Sequence, residues 1–429
     1  MPRYGTFRTL FFVLVTLVAV RAGAVRAQAA LTVEEIVKMA LEANTQVRAA
    51  RARWHSAEHA INPNYVPADP TLSFANLDSR TNGFDQPATQ SYQVSQPLQF
   101  PGKGYLQGKS ARRLADIARL TYEATVRDIR AQAEVAFYQL LLDNALSGVA
   151  ADNVANLRRV LEVTQVAYSA NRVTQADFIS AEFDLAAAEQ QQRQLETATA
   201  NDKTALNQVL NRQPGEPLEV QHQLDLTTLD TRLEALIERA SQLRQEILQA
   251  ALGEENAATA LTLAKLEYAP DFTLGYTFND YLLPSAAPAE GRTQTHGISV
   301  AFNVPLFFWL RQREDVQRAA YDLQGARDDL SSIRIQTAAQ VTTLYRQAQL
   351  AYRTALLYRD SLTALAQQGF EVALVAYQGG KVDFVSLANA VRQRNDARVA
   401  YLQAANQFLA GRVALEQAIG EPLSGVKAE

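Results

Sequence analysis

The chain is written twice, and that constrains its fold more than any other feature. Each half runs from a short, proline-bounded alternating segment into a very long helical pattern and finishes on the same four residues, Gly215-Glu216-Pro217-Leu218 and Gly420-Glu421-Pro422-Leu423. Along the way Tyr65-Val66-Pro67, Gln96-Pro97-Leu98, Tyr168 and Asp177-Phe178 are answered by Tyr268-Ala269-Pro270, Val304-Pro305-Leu306, Tyr377 and Asp383-Phe384. The offset is 208 residues from Pro97 to Pro305, 209 from Tyr168 to Tyr377, 206 from Phe178 to Phe384 and 205 from Gly215 to Gly420. Such a period is too long for a solenoid and reads as a duplicated unit of strands plus long helices. The first repeat is placed at 30–228 and the second at 229–423, with a tail at 424–429.

Residues 1–29 read as a secretory leader. Arg3 and Arg8 precede an apolar core from Leu10 to Val20, followed by small-x-small sites at Ala22-Gly23-Ala24 and Ala27-Gln28-Ala29, and cleavage is expected after Ala29. The apolar run is short for a membrane-spanning helix. Export permits disulfides, yet the chain has no cysteine, so stability must come from packing or oligomerisation and no thiol can carry an N-terminal lipid. A membrane location would then rest on the fold itself. The formal net charge is −4, and −8 once the leader's Arg3, Arg8, Arg21 and Arg26 are removed, with no Lys/Arg block to track phosphates. That excludes nucleic-acid binding.

After the leader, Thr32 is a candidate N-cap with Glu34 and Glu35 in the first turn, opening a helix expected to run to about Ala60 and stop before Asn62-Pro63. Strands are expected at Thr71–Leu77 and Gln90–Leu98, where Tyr92 and Val94 alternate with polar neighbours. The second-half pair is clearer. Phe272, Leu274, Tyr276 and Phe278 alternate with Thr273, Gly275, Thr277 and Asn279, and Ile298, Val300, Phe302 and Val304 alternate with Gly297, Ser299, Ala301 and Asn303. Strict alternation puts one face in an apolar medium and the other in a wet or crowded one, which a half-buried hairpin in a soluble sheet would also satisfy. Strand length favours a bilayer, because a tilted spanning strand needs about 9–11 residues. So do the aromatics where the strands end, Phe100 and Tyr105 and again Phe307-Phe308-Trp309, which resemble an interfacial girdle. The apolar positions Phe272, Leu274, Tyr276, Phe278, Ile298, Val300 and Phe302 are therefore read as the lipid face. The connecting loops Asp78–Thr89 and Asp280–Thr295 are long and polar, as outer loops usually are. Four strands cannot close a barrel and an open edge cannot face lipid, so several chains would have to share one barrel.

From Lys103 to Ala170 no proline interrupts the helical pattern, a rod of roughly 100 Å, and Leu310–Tyr377 is as long. Tyr122, Val126, Ile129, Ala133, Ala136 and Leu140 recur at spacings of four and three, as do Leu344, Ala348, Ala351, Ala355, Tyr358, Leu362 and Leu365. A seven-residue rhythm imposes left-handed supercoiling between neighbours, and alanine permits close approach. Each rod turns, at Tyr168–Thr174 and Tyr377–Val382, and returns as Gln175–Asn211 and Asp383–Ile419. Helical hairpins this long span a distance rather than fill a globular core.

Together these features resemble the outer-membrane efflux family, the TolC-like exit ducts. The residues that carry the resemblance are the Pro-ended strands, Phe100-Pro101-Gly102-Lys103, the tip turns at 168–178 and 377–384, and the repeated Gly-Glu-Pro-Leu ends. The resemblance covers the mature chain, and Phe-Pro-Gly-Lys is similar to the heavy-metal branch. It implies a mainly helical protein with membrane strands: a homotrimer whose chains each give four strands to one twelve-stranded barrel, above a helical barrel crossing the periplasm. It also implies a passive outer-membrane conduit of a tripartite efflux or type I secretion system, docked by a periplasmic adaptor (membrane fusion protein) and an inner-membrane pump. Tyr168, Asn171, Arg172, Asp177, Tyr377, Gly379, Gly380, Lys381 and Asp383 would then gate and dock the periplasmic tip. Asp177 and Asp383 would equally serve as N-caps of the returning helices. A periplasmic adaptor or a coiled-coil scaffold is the alternative, although neither accounts for the duplicated strands.

One string is enzyme-like: His55-Ser56-Ala57-Glu58-His59 fits a zinc-peptidase pattern. His222 and His296 lie far away in sequence and no third ligand stands out, so surface helix polarity accounts for it. No phosphate loop, nucleophile elbow or Cys pair occurs, and no enzyme activity, cofactor or metal site is expected.

Overall fold

A computed structural model describes residues 30–77, 80–81, 84–85, 88–221, 226, 231–282 and 292–423. Residues 1–29, which the sequence reading assigns to a leader, lie outside the described residues, as do 78–79, 82–83, 86–87, 222–225 (with His222), 227–230, 283–291 and 424–429.

The N-terminal helix begins as its capping signal dictates. Thr32 Oγ1 accepts from Glu35 N–H while the Glu35 carboxylate accepts from Thr32 N–H, satisfying two of the orphan donors of α1 (Val33–Ala43). The expected single helix is in fact broken at Asn44. Its extended backbone ends α1, and its side chain accepts from the N–H groups of Gln46 and Val47 to start α2 (Thr45–His59). The chain also does not stop before Asn62-Pro63, because Pro63 lies in the first turn of α3 (Ile61–Tyr65), where its missing N–H costs nothing.

Strands β1 (Thr71–Leu77) and β4 (Ala88–Leu98) flank a two-residue ladder, β2 (Arg80–Thr81) with β3 (Phe84–Asp85), that the loop composition hid. Next come α4 (Lys103–Ser169) and α5 (Gln175–Val209), and then α6 (Leu233–Leu243) and α7 (Gln245–Leu266). Strands β5 (Phe272–Leu282) and β6 (Arg292–Phe302) each extend further into the second loop than expected. The four long strands form one antiparallel sheet in the order β1-β4-β5-β6, so the two halves meet at the β4–β5 pairing.

The second rod is not one continuous α-helix. It consists of α8 (Gln312–Leu357), a π turn (Tyr358–Leu362) and α9 (Thr363–Gln378), before α10 (Phe384–Ile419) returns. Val341, Ala348 and Ala355 are fully buried at seven-residue spacing, and Phe370 and Tyr377 are buried seven apart but one residue out of that phase. A π turn takes up one extra residue, which moves the buried stripe. Leu365, expected on the stripe, is therefore 61% exposed. The first rod keeps its rhythm: Ile129, Ala133 and Leu140 are buried, with Tyr122, Val126 and Ala136 packed around them in a core that includes Ile36, Leu206 and Phe408.

Structural equivalence of the halves is more regular than the repeated strings implied. The N-caps Gly102 and Arg311, the left-handed tip residues Asn171 and Gly380, and the left-handed helix-end residues Asn211 and Gly420 are all 209 apart. Gly420 ends α10 itself, at φ 97, where an added Cβ would also sit 3.0 Å from the Leu243 carbonyl oxygen. Gly215, by contrast, lies four residues beyond Asn211, so the two Gly-Glu-Pro-Leu strings occupy different places.

Polar clusters tie the long helices together. Arg127 on α4 holds Glu246 on α7 through two hydrogen bonds of 2.6 and 3.0 Å, and Asp128 accepts from Gln417 on α10. Burial pushes the Glu246 carboxyl up, but Arg127 and Arg244 bring it down to about 2. A depressed acid stabilises the fold above its ordinary range, and here the contribution is lost progressively as pH falls from the ordinary carboxylate range through about 2. Asp202 on α5 behaves in the opposite way. Burial, reinforced by the neighbouring Asp143 on α4, pushes its carboxyl up to about 7. A raised acid binds its proton more tightly when folded, so stability present below about pH 4 is lost as pH rises through about 7. Asp202→Asn is expected to raise the melting temperature at pH 8 relative to pH 5, flattening the profile that the native chain gives by circular dichroism.

Candidate functional site at the tip turns and the apolar sheet face

Both rods end in the same turn. At the first tip Asn171 takes the left-handed conformation (φ 54), Asn171 N–H donates to the Tyr168 carbonyl (2.9 Å) and Arg172 N–H to Ala167 (2.8 Å). At the second, Gly380 (φ 66) and Lys381 repeat these bonds to Tyr377 (3.0 Å) and Ala376 (2.8 Å). This is the Schellman closure, which needs one left-handed residue, and asparagine tolerates that conformation almost as glycine does. Gly379 has φ −79, so the turn does not require glycine there.

The two Asp-Phe pairs are not equivalent. Thr174 caps α5 and exchanges bonds with Asp177 in a capping box, whereas Asp383 itself caps α10 by accepting from Ser386 N–H (2.9 Å). The capping role read from sequence therefore holds for Asp383 and not for Asp177. Hydrogen bonds from Ser386 hold the Asp383 carboxyl below its ordinary value.

The two tyrosines also differ. Tyr168 is 40% exposed and stacks on Phe178 (5.8 Å), while Tyr377 is buried, packs edge-on against Phe384 (6.3 Å) and donates to Thr164 Oγ1 on the other hairpin (3.2 Å). Burial pushes the Tyr377 phenol up, against the opposing pull of that bond. Around it Val160, Phe370, Phe384, Leu387 and Val391 form an apolar core shared by both hairpins. A groove of about 750 Å³ lies between the tips, lined by Val163, Val166 and Val382 and by the charged Arg172, Asp177 and Asp383. Arg172 and Lys381 make no ion pair among the described residues. The chain thus brings together every tip residue except Tyr168, Gly379 and Lys381 along this groove, and those three lie on the adjoining turns.

At the other end, strand register aligns the apolar side chains in rows on one face. Leu72, Val94, Tyr276 and Ile298 form one row, and Phe74, Tyr92, Phe278 and His296 the next. Leu274 pairs with Val300, and Phe272 with Phe302. Leu72, Phe74, Leu274, Val300 and Phe302 are 43–79% exposed and Ile298 is 85% exposed, so none of the described residues covers this face. Beyond the aromatic row comes a polar one, Asn76, Gln90, Asp280 and Gln294. The opposite face carries Ser73, Gln93, Thr277 and Gly297.

Sheet and rods are joined by a knot that sequence reading missed. Lys103, 2% exposed at the start of α4, donates to Asp271 Oδ1 (2.9 Å), the Ala269 carbonyl (3.1 Å) and Glu267 Oε2 (3.4 Å), and Asp271 Oδ1 also accepts Phe100 N–H (2.8 Å). The signal available was a lysine after Pro-Gly in one half and an aspartate after Pro270 in the other, both at strand–helix junctions. His55 bonds its own neighbour Glu58 (2.8 Å) and stacks on Trp54, and no group of three or more His, Asp or Glu able to hold a metal occurs among the described residues. No described helix is long and apolar enough to cross a membrane.

An uncovered apolar strand face joined to helical hairpins of this length is the architecture of a channel-forming envelope protein with β-strands in the membrane and a helical body beside it. The outer membrane efflux protein family model matches residues 36–212 and 236–421, and the chain belongs to that family. It is 21% identical over 391 residues to the cobalt-zinc-cadmium resistance protein CzcC of Cupriavidus metallidurans, covering 91% of this chain and 90% of that one. It is 23% identical over 413 residues to the outer membrane protein TolC of Vibrio cholerae, covering 90% of each. Its fold is similar to the crystal structure of the outer membrane protein VceC from Vibrio cholerae, with a TM-score of 0.78, 17% identity and coverage of 91% and 96%. The chain is an outer-membrane efflux channel that extends into the periplasm, a mainly helical duct with membrane strands and a member of a transport family. The adaptor and scaffold alternatives gain no support from these likenesses.

Proposed function

We propose that three copies close one barrel through the free edges of β1 and β6, and that the tip turns form the gate and docking surface of the duct. The observation that carries this reading is the four-stranded antiparallel sheet whose apolar face is uncovered, and whose two edges are unpaired, among the described residues. With four strands per chain, β6 of one copy runs antiparallel to β1 of the next, so a ring closes without a mismatch, and closure removes the edges that lipid cannot tolerate. Light scattering of the detergent-extracted protein, corrected for bound detergent, is expected to give a trimer mass. A monomer soluble without detergent would refute the shared barrel.

In this reading Phe272, Leu274, Tyr276, Phe278, Ile298, Val300 and Phe302 face lipid. The chain consists of a leader at 1–29, repeats at 30–228 and 229–423, and a tail. The partners are a periplasmic adaptor and an inner-membrane pump, the tripartite arrangement of the family, and likeness to CzcC together with Phe100-Pro101-Gly102-Lys103 supports the heavy-metal branch. The duct itself is a passive conduit.

Arg172 and Lys381, which make no ion pair among the described residues, are available to acids of a neighbouring copy or of an adaptor, and the groove between the tips offers apolar Val163, Val166 and Val382 together with charged Arg172, Asp177 and Asp383. Lys381→Ala combined with Asp383→Ser removes both charges and keeps a good N-cap on α10. Cells carrying this variant are expected to admit large antibiotics more readily than the parent; unaltered permeability would remove these residues from the gate.

A further inference from the structure

Helix α9 carries two apolar stripes, and the packing uses one of them. In the phase observed, Phe370 and Tyr377 are buried and Ala373 and Leu374 pack beside them, with half-buried Thr363, Ala366 and Gln367 on the same side. The other stripe appears when the seven-residue rhythm of Val341, Ala348 and Ala355 is continued without the extra residue of the π turn. It then centres on Leu362, Gly369 and Ala376 and is flanked by Leu365, Ala366, Val372 and Ala373. This second stripe contains no polar side chain. Yet Leu365 and Val372 are 61% and 69% exposed, and a Cβ added at Gly369 would meet nothing within 4 Å. Ala366 and Ala373 belong to both stripes, so a turn of α9 about its own axis exchanges one stripe for the other.

The observed phase has a cost that the second lacks. Thr363 Oγ1, where α9 leaves the π turn, is buried without a hydrogen-bond partner among the described residues. Contacts to neighbouring helices hold the phase in place. Arg394 on α10 lies over the Phe370 ring (5.4 Å) and donates to Gln367 Oε1, and the Tyr377 hydroxyl donates to Thr164 on α4 (3.2 Å). A rotation by one residue, about 100°, takes Phe370, Gln367 and Tyr377 away from these partners together. A single π turn inside a long α-helix is rare and is found most often at functional sites.

We propose that α8, the π turn and α9 form a two-position screw that locks and frees the second tip. When the π turn winds into α-helix, its extra residue joins the rod. Helix α9 then rotates by about 100° and advances by about 1.5 Å toward the tip. Leu365, Gly369 and Val372 replace Phe370 and Tyr377 in the core, and the Tyr377 hydroxyl leaves Thr164. The two positions are discrete because each buries a complete apolar stripe and nothing between them does. The inference rests on the reading that the tip turns gate the duct; the screw is what releases them.

The chain has no cysteine, so nitroxide labels on Gly369→Cys and Gln393→Cys report the geometry of α9 against α10 alone. Labelled chains are assembled with an excess of unlabelled ones, and the distance is measured by pulsed electron paramagnetic resonance. The parent is expected to give one distance. Lys381→Ala with Asp383→Ser is expected to add a second, displaced by up to about 8 Å, the chord that a side chain at the helix surface sweeps in such a turn. Deleting Asp360 removes the extra residue while leaving Phe370 and Tyr377 in their present phase, and it sacrifices only the exposed contact of Asp360 with Arg359. The deletion is expected to abolish the second distance and to return antibiotic entry in the tip variant to the parent's value. If the deletion does not assemble, Val372→Glu, exposed as α9 stands and buried after rotation, imposes the same block. A leak with only one distance overturns the screw and leaves the gate standing, the second stripe then being a fixed contact with a neighbouring copy. A second distance that survives the deletion also overturns the screw. A second distance without a leak, abolished by the deletion, upholds the screw and removes the tip turns from the gate. Neither leak nor second distance overturns both.

Discussion

Asp271→Ala is expected to destabilise the protein by about 3–5 kcal/mol, far more than Lys103→Met at the other end of the same ion pair. The asymmetry follows from burial. Lys103 is 2% exposed, whereas Asp271 is 36% and Glu267 46% exposed. Removing Asp271 leaves an ammonium out of water with the neutral Ala269 carbonyl (3.1 Å) and a single, longer acid contact of 3.4 Å to Glu267, and also orphans the Phe100 N–H. Removing the ammonium instead leaves two acids that water can reach, while methionine fills the stem's volume at a cost of less than about 1.5 kcal/mol. Combining the two substitutions should recover most of the Asp271→Ala loss. The measurement is the temperature at which the detergent-solubilised oligomer dissociates, for each single variant and the double. Equal losses from both single variants would mean that Lys103 is not buried in the assembled protein.

Val300→Arg is expected to cost about 2–4 kcal/mol if the position lies near the bilayer midplane, and to reduce the assembled protein recovered from outer membranes accordingly. Val300 pairs with Leu274 in the middle of the uncovered face and is 51% exposed. Gly297→Arg is the internal control. It points to the polar face, where an added Cβ meets nothing within 4 Å, and should assemble normally while altering conduction. Normal assembly of Val300→Arg would remove β6 from the lipid surface and with it the shared barrel.

Much of this architecture is legible in the residues because it is periodic. The strand faces follow from alternation of two, visible from Phe272 to Phe278, and the α1 start follows from Thr32 with Glu35 three residues on. The rods are legible as long runs without proline. What misled was the use of short identical strings as markers of equivalence. Asp177-Phe178 and Asp383-Phe384 look alike, yet the first aspartate is the third residue of its helix and the second is a cap. Hydrogen-bond geometry at the helix ends, not string identity, sets the constant offset of 209.

The sequence by itself carried the duplication, the existence and order of the strands and rods and the identity of the apolar faces, since each is recorded in residues a few positions apart. Only the tertiary structure decided the pairings across long separations: Lys103 with Asp271, Tyr377 with Thr164, Asp202 beside Asp143. It also decided where the π turn shifts the buried stripe, because that phase is chosen by how α9 meets its neighbours rather than by any local preference of Tyr358–Leu362. Local periodicity is a property of one segment, whereas a buried ion pair or a helix phase is selected by the packing of several segments at once, and no window along the chain contains that information.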